Sequence, residues 1–374
     1  MARIRKVLRV ILILVPVVLV VLAIAVSHDS ACGTAPALAD NAVTMKAIVY
    51  RCYGSPDVLR LEGIEKPIAA DDEVLVKVHA AAVNPLDWHY MRGTPYIMRL
   101  ASGIGTPKSV RLGVDFAGTV EAVGKNVTRF HPGDAVFGGK TGAFAEYFTI
   151  REDQALVLKP PSLSFAQAAT VPIAAITALQ ALRDTGQLQA GQSVLINGAS
   201  GGVGTFAVQL AKHFGAEVTG VCSTRNVAMV RSLGADHVVD YTKEDFTLGK
   251  PHYDLIVDMV GNHSLLENKR VLKPEGRFVG VGGGGQDDKW LGFLSTPVNA
   301  LVLSPFVSQH FGMMLAEFNQ ADLTLLGDLM QAGKVTPVID RTYSLSEVPE
   351  AMRYLELGHA RGKVVIAVQP EGTP

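Results

Sequence analysis

The sequence predicts a protein of the α/β class, in which a doubly wound parallel sheet is joined to a β-rich domain and preceded by an N-terminal hydrophobic helix. Three observations predict this fold. Strands and helices alternate in the second half of the chain, short apolar alternations dominate the first half, and an uncharged apolar run stands near the N-terminus. With 374 residues, the chain is long enough for two domains, each with its own core.

The N-terminal segment differs in composition from the rest of the chain. Basic residues among the first nine positions precede an unbroken apolar run over residues 10–26. Because a spanning helix needs roughly 17–25 apolar residues, the run predicts a membrane anchor with its basic end on the inner side. Two alternatives stay open, a cleaved signal ending near residues 37–39 and a protein that starts at Met45. We therefore expect membrane association with the side undecided, or a cytoplasmic protein if the segment is absent.

The three cysteines, Cys32, Cys52 and Cys222, are far apart in the sequence. No CxxC pair occurs, so we expect no disulfide framework, and a reducing compartment fits this composition.

From Met45 the chain changes to short apolar alternations separated by turn signals, which predict strands up to about Ile150. In order, the predicted strands are MKAIVYRCYG, DEVLVKVHAAAVN, VDFAGTVEAVG, GDAVFGG and GAFAEYFTI. The 37 glycines of the chain fit the tight turns that such short strands require.

After Pro160 and Pro161 the pattern changes again. Residues 164–186 have helical spacing and little charge. The next elements are strand SVLIN, helix GTFAVQLAKHFG, strand EVTGVC, helix RNVAMVRSLG, strands HVVDY and YDLIVDMVG, helix LLENKRVLK and strand GRFVGVGG. Strands that are apolar throughout and alternate with helices predict a parallel sheet covered on both faces. A helix over residues 320–333 and a strand–helix–strand tail complete the chain.

A glycine-rich loop, LINGASGGVG, joins the strand SVLIN to the following helix. It has the GxGxxG spacing with alanine in the first position, over Ala199, Ser200, Gly201, Gly202, Val203 and Gly204. Glycine at 201 lets backbone N–H groups approach a diphosphate, and glycine at 204 lets the helix pack close to the strand. The helix N-terminus favours an anion. A tight turn without a ligand is the alternative, but the strand–loop–helix context favours a dinucleotide.

The end of the next strand indicates which dinucleotide binds. NAD sites place an Asp or Glu there for the ribose 2′-hydroxyl. Residues 222–226 read CSTRN and contain no carboxylate. Ser223 can donate a hydrogen bond and Arg225 can pair with a 2′-phosphate, which favours NADPH. Alternatively, Arg225 is a solvated residue in the first turn of the next helix.

Charge and composition argue against two other classes of ligand. A formal net charge of −1 gives no basic surface for nucleic acid. The three cysteines form no plausible cluster and the ten histidines are scattered, so we expect no metal site.

The chain from Met45 to its end resembles the medium-chain dehydrogenase/reductase superfamily, on its zinc-free, quinone oxidoreductase-like side. It is similar to enzymes labelled NAD(P)-dependent alcohol dehydrogenases or enoyl reductases. The stretches that carry the resemblance are AAAVNPLDWHYMRG, LGVDFAGTVEAVGKNVTRFHPGDAVFG, GAFAEY, INGASGGVG, GADHVVDYT and GKVVI.

The resemblance implies a division of the chain into domains. Residues 45–170 correspond to a GroES-like catalytic domain, to which residues 312–374 return. Residues 171–311 correspond to a Rossmann NADP-binding domain. Residues 1–44 lie outside the catalytic and nucleotide domains and comprise the N-terminal segment and a linker.

The resemblance also implies roles for single residues. Zinc-dependent members have ligands where Asn84, Val114 and Ile173 stand here, so it supports the absence of a metal. The positions that match cofactor contacts are Thr177 near the nicotinamide and phosphates, Tyr241 near the adenosine phosphate, and the strand ends Val260, Gly261, Val281 and Gly282 near the nicotinamide ribose.

The activity that we expect is hydride transfer from NADPH to a quinone or an α,β-unsaturated carbonyl. Such an acceptor needs alignment with the donor and a hydrogen-bond donor for its oxygen. Asn84 is the first candidate for that donor, because the matching Asn of zinc-free relatives lines the substrate site. His89 and Tyr90 are candidates for delivering a proton or shaping the pocket. Each of the three also has a purely structural interpretation, Asn84 as a turn residue before Pro85.

Two other functions remain open. One is a zinc-free alcohol or aldehyde oxidoreductase, which would lack the usual Lewis acid. The other is an NADPH-binding sensor or scaffold tethered to a membrane, because a fold does not fix a function. As partners we expect a small apolar carbonyl or quinone and a second copy of the chain. The apolar segment over residues 290–308 is the candidate for pairing the two copies.

Overall fold

The computed structural model of the protein describes residues 2–250, 252–282, 289–290, 292 and 295–369. Its strands are β1 Thr44–Val49, β2 Arg60–Glu65, β3 Glu73–Val83, β4 Asp115–Val123, β5 Ala135–Gly139, β6 Tyr147–Arg151, β7 Leu156–Leu158, β8 Ser193–Asn197, β9 Glu217–Cys222, β10 His237–Asp240, β11 Tyr253–Asp258, β12 Leu272–Gly280, β13 His310–Met313, β14 Ile339–Ser344 and β15 Lys363–Ala367. Its helices are α1 Ala2–Ser27, α2 Pro85–Arg92, α3 Arg99–Ser102, α4 Phe165–Ala169, α5 Pro172–Gln180, α6 Gly202–His213, α7 Val227–Ser232, α8 Leu265–Val271, α9 Ser295–Leu303, α10 Gln320–Gln331 and α11 Val348–Glu356.

The described strands of the second half form a parallel sheet in the order β10-β9-β8-β11-β12-β13. The order runs outward from β8 in both directions, as in a doubly wound fold, and the predicted α/β class is confirmed. All five residues of β8 are buried, because helices cover both faces. The carboxyl ends of β8 and β11 lie side by side, where the strand order reverses, and this is the edge at which such sheets bind ligands.

A second, mixed sheet is built from the first half of the chain and the C-terminal tail. Its order is β14-β15-β3-β4-β5-β7, with β6 also paired to β3. Strand β15 runs antiparallel to β3, so that Val364 faces Val83 and Ala367 faces Ala80. This pairing brings the last described strand beside the start of α2. The domain boundaries that the sequence suggested stay a prediction.

Several elements differ from the sequence-based prediction. The helix predicted over residues 164–186 is divided into α4 and α5, because Pro172 lacks the N–H that a continuous helix would need and starts a new one. Helix α5 continues into a π-helical turn over Ala181–Thr185. Strand β2 was missed, since RLEGIE carries charges and a glycine and only two of its six positions are partly buried. Strand β13 was hidden in an apolar segment without period-two alternation.

The N-terminal segment contains helix α1, which includes Pro16. Among the residues that the structure describes, no helix is long and apolar enough to cross a membrane. The membrane anchor predicted at residues 10–26 is therefore not supported.

The expectation about the cysteines is wrong. Cys32 and Cys52 form a disulfide, with their Cα atoms 4.6 Å apart. Spacing along the sequence could not show this, because the linker after α1 folds back beside the segment that follows β1. Since disulfides persist in oxidising compartments, the composition no longer argues for a reducing one. Cys222 is buried and has a free thiol.

The linker is also tied to the half of the chain that builds the mixed sheet, through Arg99, which is 1% exposed. Its guanidinium donates to the carbonyl oxygens of Val26 and His28, both at 3.1 Å, and pairs with Asp29 at 2.8 Å. The guanidinium also donates to the carbonyl oxygens of Gly93 and Arg92, and it lies over the rings of Tyr53 and Tyr96. Arg99 thus holds the end of α1 against the loop after α2.

Candidate active site

The glycine-rich loop lies at the carboxyl end of β8, as predicted. The turn begins at Gly198, with φ of +90°, and the amide of Gly201 donates to its carbonyl oxygen at 3.0 Å. Helix α6 begins at the next residue. A Cβ at Gly204 would lie 2.1 Å from the Gly198 oxygen, so only glycine allows the helix to approach the strand this closely.

The open side of the loop is at Gly201. A Cβ built there would have one neighbour within 4 Å, the Gly198 oxygen at 3.4 Å. The space in the direction of that Cβ is therefore free, while the backbone of Gly201 is bridged to Gly362 on another side. The first turn of α6 presents N–H groups that the helix itself does not use. A diphosphate fits this combination of an open cradle and a helix N-terminus.

Ser223 and Arg225 lie beside the loop, at the end of β9. The side-chain amide of Asn226 donates to the hydroxyl oxygens of Ser200 at 3.0 Å and Ser223 at 3.3 Å, which ties the loop to this strand end. The Arg225 guanidinium donates to the carbonyl oxygen of His359 at 2.6 Å. Because this acceptor is uncharged, the arginine keeps its full positive charge at the position expected for a 2′-phosphate.

Tyr241 follows β10 and is 52% exposed. Asp240 precedes it and is a carboxylate that the sequence argument did not weigh. The Thr224 hydroxyl, which donates to it at 2.7 Å, is the main cause of an Asp240 pKa well below its usual range. Lys243 pairs with the same carboxylate at 3.0 Å and balances its charge.

The predicted nicotinamide end is formed by the ends of β11 and β12. The amides of Val260 and Gly261 donate to one carboxylate oxygen of Asp258, at 2.9 and 3.0 Å. The other carboxylate oxygen is buried and has no hydrogen-bond partner among the described residues. Val281 and Gly282 follow the neighbouring strand, and Gly282 has a φ of +66°. The structure thus brings these predicted residues to one edge of the sheet.

Asn84 lies at the N-terminus of α2 and is 3% exposed. Its side-chain nitrogen donates to the carbonyl oxygen of Ala82 at 3.1 Å and to Asp115 at 3.0 Å. Its carbonyl oxygen accepts from the ammonium of Lys363. Both amide hydrogens are occupied, so in this arrangement Asn84 has none left for a substrate oxygen.

Asp115 connects this group to helix α5. It is fully buried, and one of its oxygens accepts from the amide of Ile173 at 2.9 Å, in the first turn of α5. Thr177, the predicted cofactor contact, lies one turn further along and is 7% exposed. Burial raises the pKa of Asp115, and the nearby ammonium of Lys363, 3.1 Å away, opposes that rise.

Asp87 is a second buried carboxylate, in the first turn of α2. It accepts from the amide of Asn84 at 2.8 Å and from the amide of Gly113 at 3.0 Å. Burial raises the pKa of Asp87 to about 7. The carboxyl group fixes the start of α2 and thereby the orientation of the residues that follow it.

His89 and Tyr90 lie next along α2 and are partly buried. Nδ1 of His89 lies 2.7 Å from the carbonyl oxygen of Thr94, and the ring stacks on Trp88 with centroids 3.8 Å apart. A carbonyl accepts only, so Nδ1 carries the hydrogen. Burial lowers the pKa of His89, so the ring is neutral near pH 7. A neutral ring suits shaping the pocket better than donating a proton.

Asp87, Asp115 and Lys363 are functional candidates that the sequence did not indicate. All three lie within the stretches that carry the family resemblance. A single charged residue in an apolar stretch is normally interpreted as solvent-exposed, and only the tertiary structure shows that these three are buried together.

The described residues of the site offer no ligand set for a metal ion. Within the described part of the chain, no group of three or more His, Cys, Asp and Glu residues could hold one. Asn84, Val114 and Ile173 provide no thiolate or imidazole either.

Comparison with known proteins matches two sequence families. Residues 70–161 match the family described as alcohol dehydrogenase GroES-like domain, and residues 233–366 match the family described as zinc-binding dehydrogenase. The second family is described as zinc-binding, whereas the described residues of this chain contain no ligand set for zinc.

Similar proteins cover most of the chain. A 2-methylene-furan-3-one reductase of Solanum lycopersicum is 37% identical over 86% of this chain and 79% of its own. A chloroplastic NADPH-dependent alkenal/one oxidoreductase of Arabidopsis thaliana is 36% identical over 92% of this chain and 86% of its own. Among solved structures, the quinone oxidoreductase of Coxiella burnetii is 33% identical with a TM-score of 0.77, covering 87% of this chain and all of its own.

Proposed function

We propose, since the chain belongs to the medium-chain dehydrogenase/reductase superfamily and to its zinc-free quinone oxidoreductase type, that it transfers hydride from NADPH to a quinone or an α,β-unsaturated carbonyl. The GroES-like and Rossmann folds that the resemblance implied are confirmed. The observation that carries the proposal is the open loop at Gly201, which fits a diphosphate beside the end of β8.

Ser223 and Arg225 support NADPH over NADH. The guanidinium of Arg225 has an uncharged acceptor, and the carboxylate of Asp240 is balanced by Lys243. A 2′-phosphate would therefore meet a net positive charge at the end of β9, and a guanidinium binds phosphate with strong, charge-assisted hydrogen bonds. The relative from Arabidopsis thaliana is named for the same coenzyme.

The remaining cofactor contacts are proposed at the two strand ends and on α5. Val260, Gly261, Val281 and Gly282 border the nicotinamide ribose, and the unpartnered oxygen of Asp258 provides an acceptor for a ribose hydroxyl. Thr177 faces this region from α5, and Tyr241 packs at the adenosine end.

The chain's own residues hold the reactants together, while bound NADPH supplies the hydride. Good alignment of two reactants accounts for about 7–11 kcal/mol of a barrier. We propose that Asn84, His89 and Tyr90 line the acceptor side. Because the amide hydrogens of Asn84 are occupied, its side chain acts by joining the end of β3 to Asp115 and Lys363. The Tyr90 hydroxyl is then the proposed donor to the acceptor oxygen.

The proposal is tested by following NADPH oxidation with a panel of one quinone, one enone and one saturated aldehyde. Turnover of the quinone or the enone, and not of the aldehyde, is the expected result. Turnover of the aldehyde alone would assign the chain to alcohol and aldehyde chemistry. Tight NADPH binding without turnover of any acceptor would leave a sensor or scaffold.

Arg225→Ser tests the choice of coenzyme. Loss of the guanidinium should weaken NADPH binding by about 10–100-fold, the effect of roughly 1.5–3 kcal/mol for a charged hydrogen bond, and should leave NADH binding nearly unchanged. Arg183→Ser, remote from the loop in a pair with Asp322, is the control. An equal loss for both coenzymes would contradict the assignment of the 2′-phosphate.

Assembly and location remain proposals. Strand β13 is the edge of the parallel sheet, and α9 beside it exposes Val298, Leu301 and Val302, so we propose that two copies pair there. Light scattering at micromolar concentration should give twice the chain mass, and the mass of a single chain would refute pairing.

Association of α1 with a membrane stays a prediction. Recovery of the protein in the carbonate-washed membrane fraction would support it, and release of the protein from that fraction would contradict it.

A further inference from the structure

A buried lysine lies between the two halves of the site. Lys363 begins β15, the strand KVVIA, and its side chain is 3% exposed. Lysine is almost never this buried unless its charge is paired, because taking an ammonium out of water is costly. The position is therefore held by specific contacts.

The ammonium of Lys363 contacts the substrate side. It donates to the side-chain oxygen of Asn84 and to Asp115 at 3.1 Å. An ammonium carries three hydrogens, and two of them are accounted for by the described residues. Through Asp115 the contact reaches the amide of Ile173 and hence the start of α5.

The aliphatic stem of Lys363 contacts the nucleotide side. Its Cδ atom would lie 3.0 Å from a Cβ built at Gly202, the first residue of α6. The preceding residue, Gly362, donates its amide to the carbonyl oxygen of Ser200 at 2.9 Å and adopts a φ of +89°. The beginning of β15 is thus joined to the glycine-rich loop by backbone and side chain together.

We propose that Lys363 is a positioning residue for hydride transfer. By holding Asn84 and Asp115 against the glycine-rich loop, it sets the distance between the bound cofactor and the acceptor. The inference rests on the proposed function and adds a residue to it. A displacement of about 1 Å between reactants lowers a rate by about 100-fold, so a single link of this kind has a measurable effect.

The test replaces the ammonium and keeps the stem. Lys363→Met removes the charge, Lys363→Arg retains it, and Lys212→Met is the control, because Lys212 also pairs with an aspartate, Asp236, but on the far end of α6. For each variant we measure the melting temperature and the NADPH affinity. With an enone as acceptor we also measure KM and kcat, and kcat is expressed per NADPH-binding site. The isotope effect on kcat with deuterated NADPH reports whether hydride transfer limits the rate.

Lys363→Met should lower kcat by about 100-fold and raise the isotope effect, with NADPH affinity changed by less than about 3-fold. Lys363→Arg should regain part of kcat, and Lys212→Met should match the wild type. If Lys363→Met lowers the melting temperature while each remaining binding site keeps the wild-type kcat and isotope effect, Lys363 is only structural and the proposal fails.

Failure of the proposed function itself would be recognised separately, because the wild-type protein would then fail to oxidise NADPH in the presence of any of the tested acceptors. The emission of bound NADPH then decides the present proposal, since it reports how firmly the nicotinamide is held. Lower emission from saturated Lys363→Met than from the saturated wild type supports a positioning role, and equal emission overturns it.

Discussion

At the scale of single residues, some proposed site residues depend only on their neighbours in the sequence, and others depend on contacts with residues that are distant in the sequence. Gly201 and Gly204 could be identified from the sequence, because the demand for a bare backbone arises within one turn. The partnership of Asn84 with Lys363 joins positions 279 residues apart, and no spacing rule predicts it. The sequence proposed Asn84 as a site residue with a free amide, whereas both of its amide hydrogens are used in the structure.

Asp87 makes the stability of the protein depend on pH. Its pKa is about 7 when folded and about 3.9 in an unfolded chain, so between these values only the folded state keeps the proton. Stability should therefore fall as pH rises from about 4 to 7, by up to about 1.4 kcal/mol per pH unit. The fully buried Asp115, whose pKa burial also raises, acts in the same direction.

Asp87→Asn should reduce this slope, measured as the urea midpoint at a series of pH values. Asp328→Asn, at an exposed aspartate in α10, is the matched control and should leave the slope unchanged. An Asp87→Asn variant with the full wild-type slope would show that Asp87 is ionised in the folded protein at neutral pH.

At the scale of elements, the regular strands and helices were predictable where a period was long or a turn signal was strong. Strands β8 and β9 have the predicted bounds. The break between α4 and α5 depends on Pro172, which acts locally on the helix. The apolar run over this segment is continuous, and for that reason a single helix was predicted. The disulfide of Cys32 depended on how the linker folds back, which the linker sequence does not encode by any pattern.

The contact between the linker and the loop after α2 depends on Arg99. Arg99→Met would leave the carbonyl oxygens of Val26 and His28 without their donor, which should lower the free energy of unfolding by about 1–3 kcal/mol. Urea titration gives the value, and Arg60→Met, at an exposed position in β2, is the control. A loss no greater than that of the control would mean that the contact made by Arg99 contributes nothing to the stability of the fold.

At the scale of the whole molecule, the C-terminal strand closes the site. Strand β15 pairs with β3 in the mixed sheet while Gly362, just before it, bonds to the loop after β8. Family resemblance implied that the tail returns to the catalytic half, whereas periodicity alone gave a strand without a partner. The two sheets meet at this strand, and the predicted cofactor residues and Asn84 lie on either side of it.

The proposed cofactor site depends on the open backbone at Gly201. Gly201→Val tests it directly, because the first added carbon fits, 3.4 Å from the Gly198 oxygen, while the side chain enters the space proposed for the diphosphate. Gly63→Val, at a strand position with nothing within 4 Å, is the control. We expect the melting temperature of Gly201→Val to stay near that of the control and its NADPH dissociation constant to rise at least about 100-fold, equivalent to about 2.7 kcal/mol. An unchanged dissociation constant in a folded Gly201→Val protein would contradict the assignment of the cofactor site.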